Sequence, residues 1–425
     1  MKKVLIITFH YIKKETIGSI RLRGVAKYLP DFGWEPIILT PQSGCISNAE
    51  SYYKVIETQY DDIATIWKKR LGFKTQSTVK KQLGKPTCKN NRLLIDYVLK
   101  VWEEIFAYPD ANIGWYMHAV KAGEKLLAEG SYDAILSSSN PATCHLVAKK
   151  LKGNFGIPWV ADFRDLWIQN HYIEHLLLRK VLEKRLEHKT ISNADLLTTV
   201  SNPLAVMLKQ LHWDKKVHTI INGFDPNQLN PGANVSDKFT IVYTGVLYQG
   251  KRDPEPLFQA ISELIKSGKI CSSNIEIQFY GTDDEWLFND IKKYNLEKVV
   301  NVNGPISREE SIHEQRKAQV LLLLTWNHPD EKGVYTGKLF DYLAAQRPVL
   351  AMGIPGSVIE ELLDETQSGL YVSSIEELKS AILSYYQEYK LTGKVTYKGN
   401  PVEIEKYSHR EMARKFAEVL DSITI

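Results

Sequence analysis

WNHPDEKGVYTGKLFDYLAAQRPVLAMGIP, residues 326–355, carries the pattern from which the architecture can be worked out. Just before it, Val320–Leu324 is a short, unbroken apolar run, as a buried strand is. A polar loop with glycines covers 327–337. The spacing then predicts a helix from Lys338, with Leu339, Leu343 and Ala344 on one face. It ends near Gln346, because Pro348 disfavours helix in the residue before it. A second apolar strand, 349–352, and a Gly-Ile-Pro-Gly turn follow. Strand, glycine loop and helix start together suit an anion, since free backbone N–H groups point out of a first helical turn. Lys338 adds positive charge there, and Asp341, one turn on, is placed for a ribose diol. The plainer alternative is that Gly337 only starts a helix and that Lys338 and Asp341 are solvated.

Outward from this stretch the same rhythm repeats. Residues 240–243 read as a strand ending at Thr244-Gly245, with Lys251 and Arg252 in the next loop. Strand 275–280 ends at Gly281, and strand 299–302 at Gly304-Pro305. In the first half, 4–9 is a continuous apolar strand, followed by a loop with Gly18 and a helix over 20–29 with Arg21 in its first turn. No G-x-G-x-x-G follows that strand, which argues against a nicotinamide dinucleotide. Strand 159–161 is followed by Asp162-Phe163-Arg164-Asp165-Leu166-Trp167. Open α/β sheets place ligand groups where strands end; a local Arg–Asp pair is the simpler reading. A long helix is expected over 173–192, and 41–107 shows no regular pattern. Asn222-Gly223 marks a turn, and 222–237 is polar and rich in Pro, Gly and Asn. We therefore expect two doubly wound α/β domains facing across a cleft: 1–221, with 408–425 packing back on it, and 238–407, joined by a 222–237 linker.

Composition agrees with this. The chain has 425 residues, 44% hydrophobic and 24% charged, enough apolar material for two cores. Its four cysteines form no C-x-x-C, and MKKVLIITF reads as a strand rather than an export signal, so a cytoplasmic protein is expected. No run of about 18 apolar residues suggests a membrane span. The net charge of +4 is unevenly placed: nine Lys and Arg, the first Lys68 and the last Arg92, occur with no acid between them. This run is either a solvated loop or a patch for an anionic membrane surface or phosphate-bearing acceptor. Nucleic acid is not expected, because aromatics do not alternate with the basic residues.

Taken in order, NPATCHLVAKKLK, PWVADFRDLW, IINGFD, YTGVL with its basic pair, and GKLFDYLAAQRPVL make the chain resemble a GT-B glycosyltransferase of the retaining family 4 found in surface-polysaccharide pathways. The resemblance implies a nucleoside-diphosphate-sugar donor, a glycan or lipid-linked acceptor, and no cofactor. It implies that Gly245 and Gly281 let backbone approach the diphosphate and that Lys251 or Arg252 neutralises it. Gly337 and Lys338 would hold the phosphates. Asp341 matches the ribose-binding second glutamate of the family's E-x7-E pattern, one methylene shorter. Gly333 stands where the first glutamate is expected; either the loop 330–335 supplies a substitute or, the favoured reading, backbone from Gly333 through Tyr335 and Thr336 to Gly337 meets the sugar. Asp162 takes the place of the family's histidine, and with Arg164 and Asp165 would face sugar and acceptor, near Gly18 and Arg21. There is no D-x-D, so metal-independent departure of the nucleoside diphosphate is expected, with the leaving phosphate itself taking the acceptor proton. His10 is the alternative base. An epimerase of the same shape and a non-catalytic two-lobe binder are the competing readings.

Overall fold

A computed structural model describes residues 1–11, 16–42, 53–62, 107–229, 234–248 and 250–424. Their contacts divide into two units: Met1–Ile220 with Ala413–Ile425, and Ile221–Met412. The basic run 68–92 lies outside the described residues.

Each unit is built on one parallel sheet. In the first, β1 (Lys2–Ile7), β2 (Trp34–Pro41), β3 (Lys54–Thr58), β4 (Ala134–Ser139), β5 (Trp159–Phe163), β6 (Leu196–Thr199) and β7 (Val217–Thr219) lie in the order β3-β2-β1-β4-β5-β6-β7. The strand order reverses between β1 and β4, the place where doubly wound sheets open a crevice at the strands' C-terminal ends. Helices Ile17–Tyr28, Tyr116–Glu129, Thr143–Phe155, Leu177–Ile191 and Asn202–Leu211 are interleaved with these strands.

In the second unit β8 (Phe239–Thr244), β9 (Ile275–Tyr280), β10 (Val300–Val302), β11 (Val320–Leu324), β12 (Val349–Met352) and β13 (Gly369–Val372) run in the order β10-β9-β8-β11-β12-β13. The reversal falls between β8 and β11. The unbroken apolar β11 has a direct physical cause. Val320, Leu322 and Leu324 enter a core with Phe239, Phe258 and Phe279, while Leu321 and Leu323 enter the opposite core with Leu339, Leu343 and Leu363. Both faces are covered, so alternation with polar residues has no place.

Several elements depart from the sequence reading. β3 and β13 are half-exposed edge strands, and the helices Asn202–Leu211 and Val358–Thr366 were not anticipated. The helix expected from 173 starts at Leu177. The first helix starts at Ile17, because Thr16 Oγ1 accepts a bond from Ser19 N at 3.3 Å and caps it there. β5 continues to Phe163, so Asp162 lies inside the strand and not in the loop after it. Among the described residues no helix is long and apolar enough to cross a membrane.

Candidate functional site

In the second unit the loops after β8 and β11 lie on either side of the strand-order reversal. Gly245 leaves β8 with φ +114°, and Gly281 leaves β9 with φ +89°. Their N–H groups donate to Tyr280 O and Gly304 O, both at 2.7 Å, which ties three strand ends together. A Cβ on Gly281 would stand 2.8 Å from Gly245 Cα, and one on Gly245 would stand 2.3 Å from Lys338 Cε. Both positions therefore combine a left-handed backbone with a close neighbour, and glycine answers both demands. The helix Gly337–Ala345 begins beside them, so Lys338 is brought onto the β8 turn.

Lys338 Nζ donates to Tyr243 Oη at 2.6 Å and lies 3.8 Å from the centre of that ring. Burial and the nearby Arg252 guanidinium hold the Lys338 ammonium well below the usual lysine range. Thr336, at the cap of the same helix, keeps a buried hydroxyl without a hydrogen-bond partner. Lys251 and Arg252, which the sequence leaves open, separate: Arg252 stands with Tyr243 and Lys338, whereas Lys251 lies over the Trp326 ring, 4.2 Å from its centre. Trp326 in turn stacks on His328. Glycines, one cation and a second cation thus converge at the start of a helix, an arrangement that neutralises phosphate oxygens.

Asp341 is already engaged. Arg308 grips it with two bonds, NH2 to Oδ1 at 2.6 Å and NH1 to Oδ2 at 3.2 Å, and burial raises its carboxyl while Arg308 pulls the other way. Arg308 opens the helix Arg308–Lys317, whose start is fixed by a capping box between Ser307 and Glu310. Gly333 and Glu331 are both buried in the short Pro329–Gly333 helix. The Tyr335 ring is tilted against Phe340, 5.9 Å between centres, and packs on the core around Leu339 and Leu343. Its side chain is held by that core.

In the first unit the charged cluster is a buried network. Asp162 is 0% and Arg21 1% exposed. The carboxylate accepts Arg21 NH2 at 2.9 Å and Arg21 Nε at 3.2 Å, with Ser138 Oγ at 2.7 Å and Thr198 Oγ1 at 2.8 Å. Strand register supplies the two hydroxyls, since Asp162 pairs with Ser138 on β4 and Thr198 on β6. Burial would raise this carboxyl, but Arg21 and the hydroxyls hold it below the usual range. Through these bonds Asp162 and Arg21 tie the helix Ile17–Tyr28 to the middle of the sheet, at β4, β5 and β6.

Arg164 is better placed for a ligand. It reaches Asp165 Oδ2 through Nε at 3.1 Å and NH2 at 2.7 Å, and it lies directly on Gly18: a Cβ there would be 1.8 Å from NH1. Gly18, Arg164 and Asp165 therefore meet at the crevice end of this sheet. Nearby His145 is buried; its Nδ1 faces Ser137 Oγ at 2.7 Å, its Nε2 has no partner, and burial pushes it down to about 3. His10 packs edge-on to Phe9, 5.2 Å between ring centres. No group of three or more His, Cys, Asp or Glu suited to a metal occurs among the described residues.

The sequence reading missed Tyr243, Trp326 and Arg308. Tyr243 had a usable signal, an aromatic two residues before the strand-end glycine; Arg308, far from Asp341 in sequence, had none.

Residues 91–228 match the family model described as Glycosyltransferase Family 4. No curated protein matches the chain. Solved structures with the same fold include sucrose-phosphate synthase from Thermosynechococcus elongatus, 14% identical with a TM-score of 0.58, over 100% of this chain and 95% of that one. A glycosyltransferase from Rickettsia africae is 14% identical with a TM-score of 0.61, over 99% and 98%. Anabaena HepE, solved in complex with UDP and glucose, is 14% identical with a TM-score of 0.61, over 99% and 100%. The chain has the GT-B fold of these structures, and its residues 91–228 match the Glycosyltransferase Family 4 model.

Proposed function

We propose that the protein transfers a hexose-type sugar from a nucleoside-diphosphate sugar to a glycan or lipid-linked acceptor, with retention of anomeric configuration and without a metal, in surface-polysaccharide, lipopolysaccharide or glycolipid synthesis at the cytoplasmic membrane face. The observation that carries this reading is the convergence of Gly245, Gly281, Arg252 and Lys338 at the N-terminus of helix Gly337–Ala345. Such a site stabilises a departing diphosphate electrostatically, the main demand of the reaction. Similar structures solved with UDP, such as Anabaena HepE, support a uridine nucleotide as the first candidate.

In this reading the Arg252 and Lys338 cations take the diphosphate charge. The backbone at 333–337 meets the sugar, and the leaving phosphate removes the acceptor proton. Arg164, which rests on Gly18, and Asp165, which it bonds, are the first-unit groups offered to sugar and acceptor. A thermal-shift screen of UDP, GDP, CDP, ADP and dTDP with their common sugars, with and without EDTA, tests the donor site. A shift from one nucleotide, unchanged by EDTA and lost in Lys338→Ala, is the expected result. No shift from any nucleotide overturns the donor reading, and NMR of the product's anomeric proton decides between retention and inversion.

A further inference from the structure

Helix Leu177–Ile191 is turned inside out. Its charged residues Arg179, Glu183 and Glu187, spaced by four, lie on the buried face. Glu183 accepts Arg179 Nε and Trp167 Nε1, both at 2.6 Å. Glu187 accepts Ile168 N at 3.0 Å and faces His212 Nε2 at 3.2 Å. Arg179 also donates to Pro109 O at 2.8 Å. The outward face has the opposite character. Leu177 is 83%, Leu178 74%, Val181 49% and Leu182 42% exposed. A helix on a water-facing surface normally turns such residues inward.

The charges left outside share one sign. Glu183 and Glu187 are the helix's only acids and both are buried; Lys180, Lys184, Arg185 and Lys189 are exposed. The preceding loop adds exposed Tyr172 and Ile173, along with one exposed acid, Glu174. We infer that this face docks on an anionic lipid bilayer. Leucines and a valine enter the boundary between headgroups and acyl chains, while the long lysine and arginine stems carry their charges to the phosphates. Few apolar side chains hold a protein on a membrane weakly, and a cationic rim supplies the second signal that stable attachment needs. The inference stands on this helix alone, separately from the donor reading and from the basic run 68–92.

Co-sedimentation of the full chain with phosphatidylglycerol-containing vesicles, and with phosphatidylcholine-only vesicles, tests it. The wild type should bind the first, weakly if at all the second, and release in high salt. Leu178→Glu with Val181→Glu should lower partitioning by at least about tenfold, and Lys180→Glu with Lys184→Glu and Arg185→Glu should do the same. The substituted side chains are exposed, so an unchanged thermal midpoint and unchanged nucleotide shift verify that the variants fold. No binding by the wild type overturns the inference. So does binding that helix variants leave intact, or loss seen only with Lys→Glu at 68, 69, 80 and 81. A wild-type dimer that Leu178→Glu splits, with no vesicle binding, also overturns it by making this face a contact between copies of the chain.

Discussion

Lys338 lies with its ammonium 2.6 Å from Tyr243 Oη and 3.8 Å above the centre of the same ring. Burial, and then Arg252 close by, depress the pKa of this nitrogen, and among the described residues no carboxylate pairs with it. A diphosphate brings the missing charge, so the lysine's proton affinity rises in the complex. UDP binding should therefore take up a proton at any pH between the depressed value and the ordinary lysine range, and affinity should fall as pH rises through that window. Calorimetry in two buffers of different ionisation enthalpy checks this. Equal heats in both would contradict it, and Lys338→Met should abolish the buffer dependence.

Gly281→Ala should weaken both fold and site. Its Cβ meets Gly245 backbone at 2.8 Å and its φ is +89°. A cost of about 1–3 kcal/mol for the backbone alone is expected, with loss of the UDP shift. Gly250→Ala separates strain from collision, because that residue also has positive φ, +84°, but open space around it. It should lower the thermal midpoint less than Gly281→Ala does.

Breaking the buried pair Arg21–Asp162 should be expensive. Asp162→Asn leaves a guanidinium 1% exposed without its counter-charge, at a cost of about 3–5 kcal/mol in chemical denaturation. The pH dependence has a definite sign. Because the folded carboxyl titrates below its unfolded value, the pair's stabilisation is complete above the unfolded value, near pH ~4, and is lost as pH falls through the folded one. The Asn variant should lack that acid-side loss.

Arg308→Ala should act through Asp341. Without the two-pronged grip the carboxylate is freed, and its burial, no longer opposed, raises its pKa further. If Asp341 meets a ribose diol, the variant should lose discrimination between UDP and 2′-deoxy-UDP by about tenfold, the worth of one well-held hydrogen bond. Arg308→Lys should restore part of it. Unchanged discrimination would show the pair to be structural only.

The fold was legible because parallel strands buried on both faces read as unbroken apolar runs. Val320–Leu324 and the run opening at Val4 are such cases. Edge strands escape that rule: Lys54–Thr58 and Gly369–Val372 are half-exposed, and nothing in their sequence separates them from loops. The glycine turns at Gly245 and Gly281 and the helix start at Gly337 were legible because backbone geometry and helix starts leave a local signature. The long-range pairings were not. Asp162 looked like a cleft residue until strand register put Ser138 and Thr198 beside it, and Asp341 looked free until a helix start 33 residues earlier supplied Arg308.

The first unit is not continuous in sequence, since Ala413–Ile425 completes it. Phe416, 0% exposed, lies beneath the Arg21 guanidinium at 5.1 Å, and Lys2 reaches Asp421 at 2.8 Å. During synthesis, then, the strands that emerge first cannot be sealed until the whole second unit has been made. The later unit is the first to finish, and the Arg21–Asp162 core waits with one wall open, a period in which chaperone capture or aggregation competes with completion of the fold.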